Sequence, residues 1–336
     1  MTLGRLSLAN KTILITGGAG YIGSHAMLVA KAHGFQPVAF DNLSKGHAWA
    51  VKESPLVRGD LANVKSIQSV FKKVRPVAVM HFASHINVGE SVTDPAKYYH
   101  DNLHNALNLF DVMIATKTKY FILSSTCATY GNPVKVPMGE FHPQEPVNPY
   151  GDSKYMLEKI LKTYDPAYGL KSTFLRYFNA SGADALGRTG EVHEPESHLI
   201  PLVLDAAMGR RDAITIYGDD YPTPDGTCIR DYIHVTDLAE AHFLALKLMM
   251  KTGKSDFFNL GTGKGYSVRQ LIQEAERATG RKVPVKMGPR RAGDATSLVA
   301  DNRKASKVLG WKPKHSDLKN ILETAWAWHL KYFGGK

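Results

Sequence analysis

The chain has 336 residues, 43% hydrophobic and 22% charged, which is enough for a large core and too ordinary for a disordered chain, a repeat array or a minimal module. Its formal charge of +11 would suit nucleic acid, an anionic surface or a phosphorylated small molecule, but Lys and Arg are scattered, with no run longer than pairs such as Lys72-Lys73, Arg210-Arg211 and Arg290-Arg291, so no nucleic-acid partner is expected. Only two cysteines are present, Cys127 and Cys228, far apart and outside any Cys-x-x-Cys pair; this argues against a disulfide scaffold and a zinc knuckle, fits a reducing compartment, and gives no expectation of a metal.

Met1 to Asn10 lacks the continuous apolar stretch of a signal peptide, and the richest later run, Ala241 to Met250, is interrupted by His242 and Lys247. A cytoplasmic protein without a membrane partner is the expectation. Short β-branched runs at Lys11 to Ile15, Pro37 to Asp41, Leu56 to Asp60, Val77 to His81 and Tyr120 to Ser124 read as strands. Between them Gly23 to His33, Val64 to Arg75 and Pro95 to Thr116 read as helices, followed by a helix over Tyr150 to Tyr164 and a strand over Lys171 to Tyr177. This alternation predicts βαβ units in an α/β fold, a Rossmann-type doubly wound parallel sheet with ligands beyond the carboxyl ends of its strands. After Asn179, long loops rich in Gly, Pro and charge (Ser181 to Glu196, Gly218 to Arg230, Gly288 to Thr296) separate shorter elements. The expected organisation is a dinucleotide-binding domain over 1–180, completed by segments near 235–262, and a smaller, mainly substrate-binding C-terminal lobe over 181–336.

The glycines of Thr16-Gly-Gly-Ala-Gly-Tyr-Ile-Gly23 fall directly after a strand and open a helix. Gly17 permits the tight turn, Gly20 lets the backbone approach a pyrophosphate, and Gly23 lets helix and strand pack closely. Asp41, ending the next strand, can accept hydrogen bonds from ribose hydroxyls and would repel a 2′-phosphate, which favours NAD over NADP. Asp60 can reach the adenine or cap the following helix, and Phe82-Ala83 flank the dinucleotide. Tyr150 and Lys154, four apart on one helix face, form either a surface pair or a general base whose phenol the cation lowers. After a dinucleotide turn and a Ser/Thr strand end, the catalytic reading is favoured. In Ser124-Ser-Thr126, Thr126 can bond the reacting oxygen and relay a proton to Tyr150, while Ser124 and Ser125 satisfy turn backbone. Cys127 reads as a small packed residue in preference to a nucleophile.

Together these features resemble the extended short-chain dehydrogenase/reductases and, within them, the UDP-glucose (UDP-galactose) 4-epimerases. The resemblance runs from Thr16–His25 through Asp41-Asn-Leu43, His81-Phe-Ala83, Val88-Gly-Glu-Ser91, Pro149-Tyr-Gly151, Arg176-Tyr-Phe-Asn179, Asp225–His234 and Arg290-Arg-Ala-Gly-Asp294. It implies that Tyr150 takes the proton of the sugar 4-hydroxyl, that Lys154 tunes Tyr150 and holds the nicotinamide ribose, and that Thr126 orients the 4-oxygen. It implies a tightly bound NAD, regenerated each cycle, held by Gly17, Gly20, Tyr21, Ile22, Gly23, Asp41, Asn42, Ser44, Lys45, Asp60, Leu61, Phe82, Ala83, Asn102, Tyr150, Lys154 and Phe178. For the UDP-sugar it implies Asn179, Arg230 and Arg291 at the diphosphate, Asp294 toward the uridine ribose, and Leu199 and Tyr217 near the uracil. Arg291 is equally well placed for a structural salt bridge.

Four positions bear on how far that pattern carries over. Thr126 stands for the usual Ser, Ile86 for a Lys, and His198 for an Asn at the diphosphate; Leu298 occupies the position that limits room around the sugar's C2 substituent. The Ser124–Gly131 segment also resembles UDP-xylose/UDP-arabinose 4-epimerases. A nucleotide-sugar 4,6-dehydratase needs an Asp-Glu pair after the Thr, where Cys127-Ala128 stand here; a non-catalytic NAD-sensing regulator would have lost Tyr150 or Lys154. The family pairing through Pro95 to Thr116 and Tyr150 to Tyr164 implies a homodimer.

Overall fold

The computed structural model describes residues 11–51, 54–291 and 293–334, so the reading of Met1 to Asn10 lies outside the described residues. The first half runs β1 (Thr12–Thr16), α1 (Tyr21–Ala32), β2 (Gln36–Asp41), β3 (Leu56–Arg58), α2 (Val64–Val74), β4 (Ala78–His81), α3 (Val88–Thr93), α4 (Pro95–Tyr98), α5 (Asn105–Ala115), β5 (Tyr120–Thr126), α6 (Pro149–Tyr168) and β6 (Lys171–Tyr177). The second runs β7 (Asn179–Ser181), α7 (Leu199–Met208), β8 (Ile214–Tyr217), β9 (Ile229–Arg230), β10 (Tyr232–His234), α8 (Val235–Thr252), β11 (Asp256–Leu260), β12 (Tyr266–Ser267), α9 (Val268–Thr279), β13 (Val285–Gly288), β14 (Ser297–Leu298), α10 (Arg303–Leu309) and α11 (Leu318–Phe333).

A seven-stranded parallel sheet in the order β11-β6-β5-β4-β1-β2-β3 forms the centre, the doubly wound α/β fold expected from the alternation. Its inner strands are apolar on both faces because helices cover both. In β1, Ile13 and Ile15 pack with Ala26 and Met27 of α1 and Leu238 and Phe243 of α8, while Leu14 packs the other way against Ile67, Phe71, Leu109 and Leu157. The expected return through 235–262 is α8 and β11, the latter pairing parallel to β6. A separate apolar cluster joins α7, α9 and α11 through Val203, Leu271 and Leu322. Among the described residues no helix is long and apolar enough to cross a membrane.

The strand order reverses between β1 and β4, so a crevice opens beyond their carboxyl ends, where the glycine turn, Phe82 and Thr126 lie. Several expectations shift. The strand expected to reach Asp60 stops at Arg58, and β5 continues two residues past Ser124. Helix α3 was not expected; the Asn87 side chain caps it by accepting the Glu90 amide at 3.0 Å. Pro95 to Thr116 is not one regular α-helix, because Tyr99–His104 is a π-helical turn between α4 and α5. That wider turn carries Asn102, fully buried, whose amide accepts from the His85 N–H at 2.7 Å and donates to its carbonyl at 3.0 Å.

Candidate active site

The glycine turn is built around close backbone contacts. Gly17 has φ 71°, and a Cβ there would lie 2.5 Å from the Ala83 nitrogen; on Gly23 it would lie 2.1 Å from the Gly17 oxygen. On Gly20, the N-cap of α1, a Cβ would meet only the Gly17 oxygen at 3.3 Å and otherwise project into open space. No side chain caps α1 and its first turn holds no acid, so its leading amides remain available to an anion. The Tyr21 hydroxyl donates to the Gly182 carbonyl at 2.6 Å, and half-buried Ile22 packs on the core.

Asp41 supports this turn directly. One carboxylate oxygen accepts the Ala19 N–H at 2.9 Å and the other the Leu43 N–H at 2.8 Å. Asn42 donates to Asp60 at 2.9 Å and accepts the Ser44 amide at 2.9 Å. Asp60 does not cap α2, a role taken by Asn63; it accepts the Ala62 amide instead. Leu61 is buried, and Lys45 reaches across to the Glu194 carbonyl at 2.7 Å.

At the end of β5 the Thr126 hydroxyl accepts the Ala128 amide at 3.1 Å, and its side chain acts on the Tyr150 phenol. Tyr150 sits one residue after Pro149 at the start of α6, a helix capped by Asn148 and ended by Gly169 in the left-handed region. Burial, with Tyr177 next to it, pushes the Tyr150 phenol well above its ordinary value, and Thr126 only partly offsets this. Lys154 is buried too, which pulls its ammonium from 10.5 down to about 7, and its Nζ donates to Ser84 Oγ at 2.6 Å. The expected lowering of the phenol by this cation is therefore not found: desolvation penalises the charged form of each group. Ser124 and Ser125 do not serve turn backbone: Ser124 bonds the Tyr177 hydroxyl, and Ser125 bonds Glu158 at 2.6 Å. Burial lifts the Cys127 thiol to about 12, as befits a packed residue.

The lowered Lys154 pKa has a consequence for stability. Below about pH 7 the ammonium is charged in both states and the folded chain bears its full desolvation cost. As pH rises from about 7 toward 10.5 the folded lysine is neutral while the unfolded one still holds its proton, so the cost fades. Lys154→Met is thus expected to raise the melting temperature of NAD-free protein below pH 7, with the gain shrinking toward pH 10. A gain independent of pH in calorimetry would contradict this.

Across the crevice, Arg230 and Leu298 are register partners in β9 and β14. Arg230 donates to the Ala295 carbonyl at 2.8 Å and to Asp294 at 3.3 Å, and its charge acts on Cys127, the neighbour of Thr126. The Arg291 guanidinium lies over the exposed Tyr217 ring at 3.9 Å, a stacked arrangement distinct from a salt bridge. Asn179 donates to the Asp231 carbonyl at 2.9 Å, and Leu298 packs against the cluster of Tyr130, Met138, Phe178 and Ala300. His198 is the N-cap of α7, just before half-buried Leu199. Burial opposes its charge, but Glu191 and Glu196 outweigh that and hold it up at about 10.

Residues 13–261 match the NAD dependent epimerase/dehydratase family. The chain belongs to that family. It is 50% identical over 324 residues to the UDP-glucose 4-epimerase of Rhizobium meliloti (strain 1021), covering 96% of this chain and 98% of that one. It is also similar to the crystal structure of UDP-glucose 4-epimerase from Brucella ovis in complex with NAD, at TM-score 0.93 and 50% identity over 95% and 98% of the two chains. A Bifidobacterium longum UDP-glucose 4-epimerase in complex with NAD+ and UDP has TM-score 0.92 at 36% identity over 97% and 100%.

For an epimerase/dehydratase family member, the open space before Gly20 and the uncapped amides of α1 fit the diphosphate of NAD. Asn102 Nδ2 donates to the His85 carbonyl and to Ser153 Oγ, and its Oδ1 accepts the His85 amide. Sequence reasoning missed Ser84, the partner of Lys154, and Tyr177, which shares the pocket with Tyr150. It also missed Asp231, fully buried and accepting the amides of Thr262, Gly263 and Ala300 at 2.8 to 3.2 Å. The invitation lay in its place beside Arg230, but nothing local signals those partners.

Proposed function

We infer that the protein interconverts UDP-glucose and UDP-galactose by inverting C4 through a transient 4-keto sugar. The observation that carries this reading is the placement of Tyr150 and Lys154, both buried near the start of α6, with Thr126 at the end of β5, on the side of the sheet where the uncapped amides of α1 open beyond the glycine turn. An unactivated C–OH centre resists direct inversion, whereas a planar ketone carries no configuration. NAD, held by the glycine turn and Lys154, would supply a reversible two-electron acceptor for the hydrogen at C4. Tyr150 takes and returns the proton of the 4-hydroxyl, Thr126 orients that oxygen, and Lys154 positions the cofactor ribose. Arg230, Arg291, Asn179 and the outward edge of His198 hold the diphosphate, which tethers the sugar while it turns over. Tyr217 and Leu199 flank the uracil, and Asp294, paired with Arg230, borders the uridine ribose.

The test is incubation of the purified protein with UDP-galactose without added NAD. UDP-glucose is the expected product; its absence even after reconstitution with NAD would overturn the reading. Release of a 4-keto-6-deoxy sugar would favour a dehydratase, for which Cys127, thiol raised and packed, offers no acid–base chemistry.

Leu298 sets sugar choice. It packs, half-buried, against the cluster of Tyr130, Met138, Phe178 and Ala300, where its side chain takes more room than a Cys or Ser would. UDP-N-acetylglucosamine is expected to turn over with kcat/KM at least about 10-fold below UDP-glucose, and Leu298→Ser to narrow that gap. Equal efficiencies in the parent would refute the assignment, and a pentose preference would appear with UDP-xylose in the same assay.

The proposed unit is a cytoplasmic homodimer. Half-buried Leu103, Leu107, Ile160 and Tyr164 edge the helices that would pair, and both thiols are free. Within each chain we assign 1–180 with the 235–262 return to the cofactor and the rest of 181–336 mainly to the UDP-sugar. A monomeric mass in light scattering would exclude the pairing.

A further inference from the structure

We propose that Glu191, His193, Glu196 and His198 form a binding site for a divalent transition metal, with zinc(II) the ion this donor set suits best. One ligand atom from each residue lies within 4.8 Å of all the others. The Nδ1 of His193 is 3.3 Å from Glu191 Oε1 and 3.4 Å from Glu196 Oε2, and the Nδ1 of His198 is 3.0 Å from Glu191 Oε1 and 3.0 Å from Glu196 Oε1. A tetrahedral ion with bonds of about 2.0 to 2.1 Å has ligand–ligand edges of about 3.3 Å; the four histidine–carboxylate distances bracket that value at 3.0 to 3.4 Å, and the remaining pairs lie within 4.8 Å.

A simple cluster of ion pairs accounts for the arrangement less well. His193 Nδ1 is buried without a hydrogen-bond partner, although two carboxylate oxygens lie near it, so a proton there would have no well-directed acceptor. A lone pair directed at a shared cation leaves no such orphan. Two imidazoles beside two carboxylates favour zinc and its neighbours over magnesium or calcium, which take oxygen donors.

The surroundings give the ion a place in the molecule. The Glu191 carbonyl accepts Trp328 Nε1 at 3.2 Å from α11, the Glu194 carbonyl accepts Lys45, and His198 begins α7. The His193 ring centroid is 6.3 Å from that of Tyr21, the first residue of α1. A metal here ties the 191–198 segment down where the glycine turn meets the C-terminal elements. It is a positioning site, separate from Thr126 and Tyr150.

The experiment uses tag-free, full-length protein stripped with a chelator and titrated with cobalt(II) as the spectroscopic probe, alongside elemental analysis of protein grown with zinc. Expected are about one equivalent of metal per chain, a visible cobalt band of tetrahedral intensity, and a zinc-dependent rise in melting temperature. His193→Ala and Glu196→Gln should lose the band and the rise, while His100→Ala, at an exposed histidine, keeps both. A folded parent that takes up cobalt with no tetrahedral band overturns the proposal without needing any variant. So does a band that survives in both cluster variants.

Discussion

Tyr150→Phe is expected to lower epimerisation of UDP-galactose by about 10²- to 10⁴-fold, the usual loss when a positioned acid–base group is removed. The substitution deletes one oxygen and keeps a ring that is 9% exposed, so folding and NAD content should be close to those of the parent. The diphosphate contacts proposed for Arg230 and Arg291 are untouched, so the loss should fall on kcat, with KM nearly constant. Thr126→Val, which removes only the orienting hydroxyl, should cost less. Steady-state assays on NAD-loaded protein decide the matter: a Tyr150→Phe variant within 10-fold of the parent would remove the phenol from the chemistry.

Glu158→Gln is expected to cost about 3 to 5 kcal/mol of stability, the range for removing one partner of a buried ion pair. Arg176 and Glu158 are 1% and 0% exposed, and Arg176 Nε donates to Glu158 at 2.9 Å. The guanidinium also donates to Tyr130, the Glu140 carbonyl and Gln144, while Glu158 accepts from Ser125 and Gln144. Neutralising Glu158 strands a guanidinium that no water reaches. Arg176→Met combined with Glu158→Leu removes both charges and should recover much of the loss. Thermal or urea unfolding measures each variant, and a drop below about 1 kcal/mol for Glu158→Gln would show that the network relaxes around the missing charge. Because Ser125 is held by Glu158 and precedes Thr126, the single variant should also lose activity at temperatures where it is folded.

The sheet could be read from the sequence because its strands are buried on both faces, which leaves unbroken runs such as Thr12–Thr16 between helical patterns. The glycine turn was equally legible, since the spacing at 17, 20 and 23 reflects backbone contacts that exclude any side chain at two of the three positions. The hydrogen bonds of Asn102 to His85 could not be read from the sequence, because a π turn depends on what the buried amide finds in space. The electrostatics of Tyr150 and Lys154 could not be read from a four-residue spacing, which says that two groups share a face and nothing of how dry that face is. The Glu191–His198 cluster is local in sequence, yet only the path of the loop turns four donors toward one point.

The two hydrogen bonds that Asp41 accepts from Ala19 and Leu43 fix the glycine turn without help from any ligand. A mould already set does not have to be shaped by what it receives. Little ordering entropy is then left to be lost on binding, so cofactor capture should be fast, with no slow conformational phase. It should also leave the backbone of the turn unchanged. A dinucleotide of the wrong charge then meets a carboxylate already held in place by two backbone amides.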